Sequence, residues 1–443
     1  MRPLLLRQMN GEHPAAPGAA DAGLPVAPIR LLVYDDLSRS RLTVFFRFLL
    51  ALAHLFVLAM WTAFAYIVAF INWFAILFTA RPVGGLHKLQ VYYLRYFTHV
   101  DAYLNLLADP FPGFGGEPGS YPIDVELPDA HRQNRWKTAF RLMLAIPAVA
   151  LAGAFGAAGV VSGGGYLRGS FGIVIGAAFL GWFAALARGA MPQGLRDLLA
   201  YGVGYAAQVG GYVLLITDRY PNADPLLVQY PRAAPDHPIR LTTDEDVRRS
   251  RLTVFFRFFL ALPHLVWLAL WGIAALLANI ANWFVTLFAG RPADALHRFL
   301  SAYLRYQTHV WTFLSVLANP FPGFTGTQGS YPIDVQVAPP ERQNRWKTGF
   351  RAILVIPALL LNSALGNAYF LVAIFAWFTG LLLGRVPLGI QRLGVFMVRY
   401  QAQVNAYYYL LTDRYPFSGP SFELPAGRPT APGAPPAPAP QPA

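Results

Sequence analysis

The 443-residue chain predicts an all-α membrane protein built as four tandem helical-hairpin modules, with amphipathic helices and short cytoplasmic β-strands. Three observations lead there. The residues are 55% hydrophobic and 15% aromatic but only 13% charged, with a mean hydropathy of +0.40, outside the usage of soluble proteins. The chain repeats itself at an offset of 210 residues, and more faintly again within each half. Three runs of 33 residues without formal charge, Arg47 to Arg81, Arg257 to Arg291 and Arg351 to Arg385, are each bounded by arginine.

The repeat sets the boundaries. "SRLTVFFRF" at 40 returns at 250, "YLRYFTHV" at 93 returns as "YLRYQTHV" at 303, and "RQNRWKT" at 132 returns at 342. Within a half, "NWFAILFTARPVGGL" at 72 resembles "GWFAALARGAMPQGL" at 181. The modules therefore run 28–114, 119–222, 237–324 and 329–418. A disordered arm, 1–27, precedes them, and a Pro/Ala-rich unfolded tail, 425–443, follows.

Each module opens on a brief alternating stretch ("PIRLLV", "YPIDVEL", "HPIRLT", "YPIDVQV"), read as a short strand by its period of two. The apolar run comes next. At about 1.5 Å per residue, 33 residues make about 50 Å of helix against a hydrocarbon core of about 30 Å, while two full passes need about 20 residues each. In the second module "VVSGGGYLRGS" at 160 reads as a turn inside the run, and "LNSALGN" at 361 lies near the equivalent point of the fourth. Arg or Lys flanks both ends of each run, which favours an even number of crossings under the positive-inside rule. These points predict a hairpin within each run and both termini in the cytoplasm. The competing form is one long kinked or tilted helix per module.

After a break with Arg and Pro comes an aromatic helix. Its apolar residues in module one (Leu86, Leu89, Tyr93, Phe97, Val100, Leu104, Leu107) follow the 3.6-residue period, so it either lies in the membrane interface or packs on its neighbours. "DPFPGF" or "TDRYP" stops it with proline.

These aromatic–Arg runs, the Trp-Phe before the break and the closing "TDRYPF" resemble a bacterial domain-of-unknown-function family of multi-pass membrane proteins, common in actinobacteria and often in tandem copies. The resemblance covers roughly residues 28 to 420, and is weakest in module two, where Gly204 stands in place of the arginine. It implies the membrane of a bacterial cell and the module boundaries, and no activity.

Candidate chemistry is sparse. With no cysteine there is no disulfide framework, thiolate metal site or Cys nucleophile. No nucleophile elbow, zinc-protease or phosphate-loop motif occurs, so no catalytic residue is assigned and the protein is expected not to be an enzyme. Arg95, His99 and Asp101 invite a catalytic reading, yet the set does not recur as a set: His99 and His309 become Gln208 and Gln403 in the even modules. Three recurring histidines (54, 87, 99) could bind zinc if the fold brought them together, but His87 and His99 lie about 18 Å apart along one helix, so a shared ion would require a break between them, and no cofactor is implied.

The net charge of +13 gathers around the apolar runs, which points to anionic lipid rather than nucleic acid. Candidate head-group or interface residues are Arg47, Arg81, Arg95, His99, Trp136, Arg141, Arg257, Arg291, Arg305, His309, Trp346, Arg351, Arg385 and Arg399. His54, Asn72, His264 and Asn282 are candidate polar residues within the membrane. The expected function is to bind membrane lipids and to organise or scaffold the cytoplasmic membrane, with other membrane proteins or further copies as additional partners. Transport of a lipid or small solute is the second reading, and a membrane enzyme the third.

Overall fold

The computed structural model describes residues 29–156, 172–228, 230–244 and 246–421. Residues 1–27, 425–443 and the glycine-rich stretch at 160, on which an arm, a tail and a turn were expected, lie outside them.

The first half contains β1 (Arg30–Val33), α1 (Arg41–Thr79), α2 (Gly84–Leu104), β2 (Ile123–Glu126), α3 (Arg135–Ala139), α4 (Arg141–Phe155), α5 (Ile173–Arg188) and α6 (Gln193–Val213). The second contains β3 (Ile239–Thr243), α7 (Arg251–Ala289), α8 (Asp294–Leu314), β4 (Ile333–Val337), α9 (Arg345–Gly349), α10 (Arg351–Leu354), α11 (Ile356–Leu383) and α12 (Leu388–Tyr408).

The expected hairpin does not form inside the first, third and fourth apolar runs, whereas the second run is two helices, α4 and α5, with residues 157–171 between them outside the described residues. α1 and α7 are single helices of 39 residues, and α10 with α11 makes a third nearly continuous one. Residues 41–79 contain neither Gly nor Pro, so nothing in α1 favours a turn. Pro263 is absorbed inside α7, whereas Pro357, which has no N–H to give, separates α10 from α11. The turn-prone "LNSALGN" is helical, since an apolar neighbourhood leaves its backbone groups only each other as partners. Among the described residues, these three helices are long and apolar enough to cross a membrane. A helical hairpin does form, but between the apolar run and the aromatic helix behind it. α2 returns antiparallel along α1, so that Tyr103 near its end meets Arg47 near the start of α1, and Gln90 near its start meets Asn72.

The elements stack in three layers. Long helices form the first, in the order α1, α4/α5, α11, α7. The aromatic helices α2, α6, α12 and α8 form the second beneath them, with Phe396 of α12 beside Leu198 of α6. β1 pairs antiparallel with β2 over α2 and α6, and β3 with β4 over α8 and α12, which makes two separate ladders instead of one sheet. The core fills both sides of the second layer, against the long helices on one face and the ladders, through Leu31, Val125, Leu241 and Val335, on the other.

α1 shows how the first layer is built. Val44, Arg47, Ala51, His54, Leu58, Thr62, Ala65, Val68, Asn72 and Ile76 form one buried stripe at helical spacing. The rest of the circumference is apolar and exposed, from Leu42 through Phe56 and Ile67 to Phe78. The aromatic helices are the reverse: 18 residues of α6 are buried. They are central packing elements, so an interfacial position for them is corrected.

Candidate lipid-facing site

The arginines at the mouths of the apolar runs face inward. Arg47, Arg141, Arg257 and Arg351 are all nearly fully buried, each with its guanidinium carbon 4.1 to 4.5 Å from the centre of an aromatic ring on the partner helix. Nη1 of each donates to main-chain carbonyls at or just beyond the end of that helix, while Nη2 of Arg47 and of Arg351 also pairs with the carboxylates of Asp109 (2.9 Å) and Asp413 (3.1 Å). Arg47 Nη1 donates to Tyr103 (2.6 Å) and Ala108 (2.8 Å), Arg141 to Tyr212 and Thr217, Arg257 to Phe313 and Ala318, and Arg351 to Thr412. A helix ends with unpaired carbonyls and partial negative charge, and a buried cation satisfies both. These four are clamps on the aromatic helices, and the head-group role expected of them is corrected.

Behind each clamp sits a strained residue. Leu106, Leu215, Val316 and Leu410 follow the aromatic helices at φ of 62, 64, 63 and 60°, a left-handed conformation normally left to glycine. Their side chains are buried, which a glycine could not match. Their carbonyls are taken up by Arg39, Gln133, Arg249 and Gln343 in turn. Nothing in the chemistry of "RQN" announced the glutamines; only their recurrence at 133 and 343 could have.

Neighbouring segments hold one another reciprocally. The indole N–H of Trp73 donates to Thr138 and that of Trp182 to Val44, with Trp283 to Thr348 and Trp377 to Val254 in the second half. The main-chain N–H groups of Gln133 and Arg39 bond the carbonyls of Ala80 and Gly189, and those of Gln343 and Arg249 bond Gly290 and Gly384. Thus the start of each long helix is tied to the end of the other. The recurring Trp-Phe was the visible trace of this exchange.

His99 and Arg95, which invited a catalytic reading, meet Asp124, not Asp101. Arg95 Nε lies 3.0 Å from Asp124 Oδ1 and His99 Nε2 3.5 Å from it, with the Gly119 N–H on Oδ2. His309 repeats the contact to Asp334 at 2.8 Å, and Arg305 turns to the Val335 carbonyl. Burial alone would raise the Asp124 carboxyl, but donors from His99, Gly119 and Val125, with Arg95 beside it, hold it below the usual carboxylate range. Asp101 instead accepts from Asn105. In the even segments Gln208 and Gln403 accept the N–H of Asn222 and Phe417. The shared task of this position is to tie the chain after the helix back onto it. A cleft of about 500 Å³ opens beside Arg95, Tyr34 and Asp124.

The remaining candidates divide. His54 and His264 pair with Tyr96 and Tyr306 at 2.8 Å and are covered by Phe111 with Phe114 and by Phe321 with Phe324. Asn72 donates to Gln90 and accepts the Val83 N–H, while Asn282 donates to the Tyr409 carbonyl. Arg399 is buried and bonded to the Phe417 and Gly419 carbonyls. What stays at the surface is Arg81, Arg291, Arg385, Trp136 and Trp346, the two indoles 76% and 78% exposed beside Lys137 and Lys347. His87 faces the Pro128 carbonyl, so His54, His87 and His99 have three different partners, and among the described residues no group of three or more His, Asp or Glu is placed to hold a metal.

The family model described as domain of unknown function (DUF4389) matches residues 41–115, 251–325 and 345–419, together just over half of the chain. Comparison with curated proteins and with solved structures returns no match. The chain belongs to the DUF4389 family, represented three times.

Proposed function

We propose that this DUF4389 protein is a non-catalytic protein of a bacterial cytoplasmic membrane, made of four tandem modules, which seats its layer of long helices in lipid and binds anionic head groups at the rim of that layer. The fourth copy, residues 119–222, lies outside the family match; its clamp Arg141, its strained Leu215 and its Trp182 support counting it with the others. One observation carries the reading: the first layer exposes an almost unbroken apolar face while its other side is packed and hydrogen-bonded. Exposed apolar faces this extensive mark lipid or partner surfaces. At the ends of the layer, Trp136 with Lys137, Trp346 with Lys347, Arg81 and Arg291 combine indole and cation, the pairing suited to the head-group region. His54, Asn72, His264 and Asn282 are each engaged in local bonds, which supports packing roles over a polar path for solute.

The test is reconstitution of the full chain into phosphatidylcholine vesicles with and without phosphatidylglycerol. The reading expects tighter, salt-sensitive association with the anionic vesicles, weakened in the combined variant Trp136→Ala, Lys137→Ala, Trp346→Ala, Lys347→Ala. Equal association with both lipids, unchanged by the variant, would remove the head-group part of the proposal.

A further inference from the structure

We infer that the layer of long helices lies in the plane of the membrane, sunk into one leaflet, so that the chain enters the bilayer from one side and does not cross it. The inference rests on the lipid-seated reading above and adds its geometry.

Length is the first ground. At 39 residues α1 and α7 are each about 58 Å long, against a hydrocarbon core of about 30 Å. An upright helix would leave nearly half of itself in water, yet exposed apolar side chains run the whole way, from Leu42 to Phe78 and from Leu252 to Phe288.

The polar layer is the second ground, and the stronger. Thr62 near the middle of α1 bonds Tyr93 near the middle of α2, and two residues on, Arg95 bonds Asp124 of the ladder. Arg30 and Glu126 pair at 3.0 Å on the same ladder. The second half repeats this, with Gly272 of α7 against Tyr303 and Arg305 against Val335. Were α1 and α7 upright, both ladders would stand alongside the mid-membrane with charged groups facing lipid. A charge at the bilayer centre is strongly disfavoured, since no water is there to solvate it. With the helices in plane, the same ladders form the water-facing side.

Thickness and charge agree. A helix with its side chains is about 10–12 Å across, and one leaflet of hydrocarbon is about 15 Å, so a layer one helix deep fits within it. Arginine at both ends of every run, which seemed to require an even number of crossings, is met by no crossing at all. Phe111, Phe114, Phe321 and Phe324, exposed at the flanks, take the place of an interfacial belt.

The chain has no cysteine, so single cysteines report sidedness directly. Asp36→Cys, Arg81→Cys and Glu126→Cys, at exposed positions before α1, after α1 and on the ladder, are treated with a membrane-impermeant maleimide in inverted and in right-side-out vesicles of cells making the full chain. Labelling of all three in inverted vesicles only is the expected result. Asp36 and Arg81 labelled from opposite sides overturns the inference and leaves the membrane reading standing. Loss of the protein from the vesicles in alkaline carbonate would instead remove the membrane reading itself. Asp246→Cys, Arg291→Cys and Gln336→Cys repeat the test in the second half, so that poor assembly of one set does not decide the outcome.

Discussion

The segments that follow α2 and α8 and those that follow α6 and α12 finish the same piece of structure with different side chains. After α2 and α8 the strained carbonyl is held by Arg39 or Arg249; after α6 and α12 it is held by Gln133 or Gln343, each of which also accepts Nη2 of its clamp arginine through Oε1. The two solutions differ in charge. Arg39 stands beside Asp35 at 2.7 Å, and Arg249 has Asp246 near it, so a second buried cation is tolerated. After α6 and α12 the amide adds no charge and turns its oxygen to the arginine. What the repeat preserves is a set of satisfied backbone groups, met by residues of different charge.

The largest expected effect comes from the clamp itself, and it should be alike in all four places. Arg257→Ala and Arg141→Ala each remove a packed guanidinium and its two bonds to buried carbonyls, and each should lower stability by about 3 kcal/mol or more, read from thermal unfolding in detergent. A cost below about 1 kcal/mol at either site would break the equivalence of the two kinds of segment. Next is the point where they differ. Gln343→Ala leaves the Leu410 carbonyl and one Arg351 N–H unpaired, for about 2 kcal/mol.

A smaller contrast separates the halves by pH. Burial pushes the His237 imidazole, at the start of β3, down to about 4, with the Ile239 carbonyl opposing and Arg399 nearby assisting. The offset of 210 places Ala27 at the matching position. A histidine whose folded pKa is depressed gives its full stability above its unfolded value near 6.5 and loses it as pH falls from there towards 4. Asp124 and Asp334, also depressed, give stability that is lost only below the ordinary carboxylate range, near 4. Hydrogen exchange between pH 6.5 and 4.5 should therefore show β3–β4 amides losing protection before β1–β2 amides. Simultaneous loss would assign the effect to something other than His237.

The smallest effect concerns a helix end. Ala80 sits at φ 61° where the other three long helices end on Gly189, Gly290 and Gly384. Ala80→Gly should stabilise by up to about 1 kcal/mol, since alanine is strained there and glycine is not.

Much of the fold was legible because residues recur. The strands and the aromatic helices follow from repeated "YPIDV", "RQNRWKT" and the proline stops. The hairpin within the first, third and fourth runs was misread for a physical reason: a charge-free length between one pass and two says nothing about direction, and arginine at both ends is satisfied by lying flat as well as by crossing twice. Arg47 and its counterparts were misread because an arginine at the edge of an apolar run looks the same whether it snorkels outward or folds inward onto Tyr103. His99 pointed at a real contact, but its partner Asp124 lies 25 residues on, across a loop that only the folded chain closes.

Depth along α1 tests the in-plane layer most directly. Spin labels placed one at a time at Phe45, Phe56, Ile67 and Phe78, all on its exposed side, span most of the helix, and their accessibility to oxygen against a water-soluble nickel chelate reports distance below the membrane surface. An in-plane helix gives one nearly constant depth, short of the bilayer centre, at all four positions. A depth that rises to the centre at Phe56 and Ile67 and falls again towards the opposite surface would contradict it.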